Sequence, residues 1–81
     1  MGKHEKLIKR IFEGKSDITP DEAVNILNKL DFKSSAIGGS HRTFRKPSRQ
    51  SITIVLTQNP LKPYLVEKLQ DMLKQEGYTN E

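Results

Sequence analysis

Apolar residues recur along this chain first at helical spacing, then with the alternation of strands, then at helical spacing again. Leu7, Ile8, Ile11 and Phe12 form one stripe, which predicts a helix over residues 3–13 that Gly14 stops. After the connector Lys15-Ser16-Asp17, Thr19-Pro20-Asp21-Glu22 is a helix start. Thr19 caps, Pro20 takes the first helical position, and Glu22 completes a capping box. The second helix runs to about Leu30, with Ala23, Leu27 and Leu30 on one line, Val24 beside it and Ile26 off the stripe. From Phe32 the pattern changes. Residues 32–37 read as a weak strand ended by Gly38-Gly39, Ser40 to Lys46 as a second, and Pro47-Ser48-Arg49-Gln50 as a turn. Ser51 to Leu56 is the clearest strand, β-branched and alternating. A loop over 57–63 leads into a helix that Pro63 starts and that runs to about Glu76, with Leu65, Leu69, Met72 and Leu73 as its buried stripe. Gly77 and Tyr78 then close it.

The order α–α–β–β–β–α predicts an α+β fold in which helices cover one face of a three-stranded antiparallel sheet. Residues 20–76 give α–β–β–β–α, the order of the double-stranded-RNA-binding fold, with an extra N-terminal helix before it. The chain reads as one domain over 1–81, with 1–14 as a helical extension and 18–78 as the core. Side chains alternate across a strand. Phe44, Ile52, Ile54 and Leu56 are therefore expected in the core, and His41, Thr43 and Arg45 on the open face.

Charge changes the picture more than composition does. All ten acidic residues lie in 1–31 or 67–81; between them Lys33, Arg42, Arg45, Lys46, Arg49 and Lys62 supply +6 against none. The flanks carry a net −2. A contiguous acid-free basic block suits a phosphate-binding surface, because neutralised phosphates release their counterions. Lys and Arg also serve to keep sheet edges from aggregating, which is the plainer reading of the same residues. With no cysteine, disulfides and Cys-based metal sites are excluded, and the two histidines stand far apart with no metal-ligand spacing; no cofactor is expected. No apolar run approaches the ~18 residues of a membrane span, so a cytoplasmic protein is expected.

His41 follows the Gly38-Gly39 turn and heads the basic strand. RNA carries its own nucleophile, the 2′-hydroxyl, so its cleavage needs a proton acceptor, a proton donor and cations at the phosphate. Histidine suits the first two tasks, since the residue type titrates near ~6.5. The candidate roles are His41 as general acid/base, with Arg42, Arg45, Lys46, Arg49 and, less directly, Lys62 as phosphate contacts. Gly38, Gly39 and Ser40 would allow close backbone approach. His4, at the frayed start of the first helix, reads as solvated. A non-catalytic RNA-binding module would use the same basic face by shape, and a protein module docking an acidic partner is a third possibility.

Over residues 20–78 the chain resembles the HicA family of toxins. The residues that carry the resemblance are Leu30-Asp31-Phe32, where the family has Leu-Gly-Phe, and Gly39-Ser40-His41 followed by Phe44, like Gly-Ser-His-His-x-Phe. Leu61-Lys62-Pro63 and the closing Gly77-Tyr78 add to it. The longer opening is similar to a subgroup with an extra N-terminal helix. The resemblance implies a double-stranded-RNA-binding-like fold and a metal-independent mRNA-cleaving toxin of a toxin–antitoxin pair. It also implies catalysis at His41 and a HicB-like antitoxin covering that surface. The second histidine of the family's pair is Arg42 here.

Overall fold

A computed structural model of the chain describes residues 3–14, 17–34 and 39–78. Three helices, α1 (Lys3–Phe12), α2 (Pro20–Lys29) and α3 (Pro63–Gln75), accompany three strands, β1 (Lys33–Ser34), β2 (His41–Arg45) and β3 (Ile52–Val55). The strands form one antiparallel sheet in the order β1-β2-β3. The architecture is α+β.

Local chemistry sets the helix ends. The Thr19 hydroxyl accepts the Glu22 amide at 3.1 Å while the Glu22 carboxylate accepts the Thr19 amide at 3.0 Å, a complete capping box with Pro20 just inside it. The C-terminus of α2 closes with the Phe32 amide on the Leu27 carbonyl (3.0 Å) and the Asp31 amide on that of Asn28 (3.1 Å). This double bond pattern needs a left-handed residue between, and Asp31 takes it at φ 68°. The same device ends α3, where Tyr78 bonds to Leu73 and Gly77, at φ 95°, bonds to Lys74.

The α2 cap explains why β1 is shorter than expected. Phe32 is spent on closing the helix: its amide bonds backward and its ring is buried, so the ladder begins at Lys33. The rest of the expected strand, Ser35 to Ile37, lies outside the described residues. At the other end of β2, Lys46 leaves the ladder to accept the Arg49 amide in the turn. β3 ends at Val55, although the Leu56 amide still reaches the Ser40 carbonyl at 2.7 Å.

Phe44, Ile52 and Ile54 are buried on one face of the sheet, while Thr53, His41 and Arg45 are exposed on the other. The buried face joins the helix stripes in one core that takes in Leu7, Ile11, Ala23, Leu27, Leu69, Met72 and Leu73. Ile26, off the expected stripe, is fully buried as well. Two core residues come from connectors and lie outside any periodic pattern. Ile18 precedes α2 and Leu61 precedes α3, and the Leu61 amide donates to the Ile18 carbonyl at 2.9 Å. No helix among the described residues is long and apolar enough to cross a membrane.

Candidate nucleic-acid interface

The open face is built on β2, the central strand. His41, Thr43 and Arg45 share it by alternation, and across β3 the hydroxyls of Thr43 and Thr53 meet at 2.9 Å. With exposed Lys33, Thr53 and Ser51 beside them, the described part of this face carries no carboxylate. His41 is exposed, pairs in register with Val55, and has the Ser40 hydroxyl 3.4 Å from its Nδ1. Gly39, at φ 101°, turns the chain into β2, and a Cβ built there would meet nothing within 4 Å. Gly38 lies outside the described residues.

The expected basic residues do not form one cluster. Arg42 is the in-register partner of Ile54 and lies half-buried on the helix side of the sheet, opposite to His41. Arg45 shares the His41 face but stands four residues further on, about 13 Å away at the rise of a strand. Lys46 and Arg49 sit at that far end and are held by one carboxylate. Lys46 Nζ donates to Glu76 Oε1 at 2.8 Å, and Arg49 Nε donates to Oε2 at 2.7 Å. Lys46 also donates to the Leu30 carbonyl at 2.8 Å and lies 5.6 Å from the Phe32 ring centre. Both residues thus have structural duties that a reading as simple phosphate contacts leaves out. Their hydrogen bonds hold the Glu76 carboxyl below the usual carboxylate range. Lys62 is exposed at the N-cap of α3, in the connection that leaves β3 from its His41 end.

Lys33, on this surface, and Glu76, which anchors two of its cations from behind, escape a reading by sequence. Lys33 belongs to the acid-free block but gains significance only from its register opposite Arg45. Glu76 lies 30 and 27 positions from its partners, and nothing local to α3 marks it. Elsewhere, His4 borders a separate depression between α1 and α2 with Lys6, Leu7, Arg10, Glu22 and Asn25. Arg10 there bridges Glu22 at 2.6 Å and Asp17 at 3.2 Å. Among the described residues, no group of three or more His, Cys, Asp or Glu gathers as metal ligands. Comparison with protein-family models, with curated proteins and with solved structures finds no match for the chain, so its surface has to be interpreted from its own chemistry.

Proposed function

We propose that the chain is a metal-independent endoribonuclease, the mRNA-cleaving toxin of a type II toxin–antitoxin pair like those of the HicA family. The observation that carries this reading is an exposed histidine on a sheet face with cations and hydroxyls and, among the described residues, no carboxylate. We read α2–β1–β2–β3–α3 as a double-stranded-RNA-binding-like core to which α1 is added. His41 takes the 2′-hydroxyl proton as the 2′-oxygen attacks phosphorus; the bond to the 5′-oxygen breaks, and a proton returns to that oxygen. The products are a 2′,3′-cyclic phosphate and a free 5′-hydroxyl. The face, acid-free among the described residues, attracts the phosphates, and a HicB-like antitoxin would cover the His41 face in the cytoplasm.

The test is incubation of purified protein with mRNA in chelator. Cleavage leaving cyclic phosphate ends is expected from the wild type. His41→Ala is expected to lose cleavage while keeping its melting temperature and RNA affinity. Unchanged cleavage by His41→Ala refutes the assignment. A second reading, RNA binding without scission, draws on the solitude of His41: the other histidine, His4, borders the separate α1–α2 depression. Lacking one acid/base partner costs on the order of 10²–10⁴ in rate, so the proposed enzyme is a slow one. Salt-sensitive binding of intact RNA with no cut ends would establish the second reading.

A further inference from the structure

The register of β1 on β2 places two cations directly opposite each other, Lys33 against Arg45. Both are exposed, and neither has an ion-pair partner among the described residues. Like charges at directly opposed positions destabilise a sheet, with Cβ atoms roughly 4.5–5.5 Å apart. One tetrahedral oxyanion bridges side chains at that separation and removes the repulsion. The pair borders an open concavity lined also by Lys46, Pro47, Arg49 and Ser51. Lys46 and Arg49 are fixed from the far side by Glu76, and no carboxylate is among the lining residues. The arrangement is two preorganised cations, two unneutralised ones and a hydroxyl.

We infer that this concavity is a phosphate subsite that holds an RNA strand about 13 Å from His41. The inference rests on the RNA reading above and extends it from the group that cuts to the groups that place the strand. Midway between the two ends of the face the hydroxyls of Thr43 and Thr53 lie side by side across β2 and β3, bonded to each other, where a passing phosphate can be received. An acidic protein partner fits less well. Protein interfaces centre on apolar and aromatic anchors, and the exposed large hydrophobic among the described residues is Tyr64, on α3. At ~3.4 Å per nucleotide of a stacked strand, the separation spans about four nucleotides. Shorter RNAs then reach His41 or the concavity, but not both.

The experiment measures binding of a fluorescein-labelled, fully 2′-O-methylated RNA, which cannot be cut, by the full chain across a salt series. The Lys33→Gln/Arg45→Gln double variant is expected to bind at least about tenfold more weakly. Its log–log salt slope should be shallower by ~0.7 for each phosphate that it no longer neutralises. In phosphate-free buffer its melting temperature is expected to equal or exceed that of the wild type, since a repulsion has been removed. Wild-type affinity in the double variant, or no RNA binding by the wild type, overturns the subsite. Tighter binding of a polyglutamate peptide than of the RNA also overturns it, in favour of an acidic protein. The two readings fail separately. RNA held through Lys33 and Arg45 but never cut in its unmodified form overturns the nuclease and keeps the subsite. Cutting by a double variant of undiminished affinity does the reverse.

Discussion

Asp31 closes α2 in the left-handed region, at φ 68°, where a side chain costs energy and glycine does not. Its charge also sits at the negative end of the helix dipole. Relief of the left-handed conformation, ~1–2 kcal/mol, exceeds the unfolded-state entropy that glycine adds, ~0.5–1 kcal/mol, so Asp31→Gly is expected to stabilise the fold, read as a rise in the denaturation midpoint with unchanged slope. His41 and Arg42 show what one strand position decides. They are neighbours in sequence, but one is exposed on the open face and the other lies half-buried on the helix side. Arg45→Ala is thus expected to weaken RNA binding more than Arg42→Ala, compared at one salt concentration. That division was legible in the alternation of the chain. The place of Lys33 in the surface and the anchoring of its cations by Glu76 were not, because register and a salt bridge across 27 positions leave no local signature.

At the scale of elements, helix ends were the most legible features, because short-range chemistry decides them. Thr19-Pro20-Asp21-Glu22 and Gly77-Tyr78 form the caps that their residue types prescribe. Thr19→Ala is expected to cost about 1 kcal/mol, measured by chemical denaturation. Strand boundaries were less legible. Phe32 has the apolar character of a strand residue, but the cap of α2 claims its amide. Ile18 shows a different blindness: a connector has no period, so nothing in its spacing marks one of the most deeply buried side chains. Ile18→Ala is expected to cost about 2–5 kcal/mol, the range for an aliphatic side chain lost from a core. That is more than any single cap.

Over the whole molecule, two carboxylates tie distant elements together, and both titrate below their ordinary range in the fold. Burial opposes the charge on Glu22, but the Thr19 amide and the Arg10 guanidinium outweigh it. For Glu76, Lys46 and Arg49 supply the depression. Depressed carboxyls contribute stability that is complete above the unfolded value, ~4.3. That stability is lost as pH falls through the folded values. The melting temperature is expected to hold from neutral pH to about 5 and to drop below it. Glu76→Gln should lose about 1–2 kcal/mol at neutral pH and converge with the wild type in acid. A constant gap between the two proteins at all pH values would show that Glu76 acts through packing instead.

The packing of α1 on α3, fastened where the Gln70 side chain donates to the Ile11 carbonyl at 2.7 Å, spans 59 positions of sequence. A ribosome therefore releases α1 long before the surface that receives it exists. During that interval Leu7, Ile8, Ile11 and Phe12, all buried in the finished fold, have no α3 to cover them. The β2–β3 hairpin closes over a short loop and is free to form earlier, as is the contact of α1 with α2 through Arg10 and Glu22; the packing of α1 on α3 has to wait for residues 63–75. A nascent chain stalled before Pro63 thus has its three strands and a sticky amphipathic helix, but a core that lacks α3. Of the three helices described, α1 is made before the others but completes its packing only when α3 arrives.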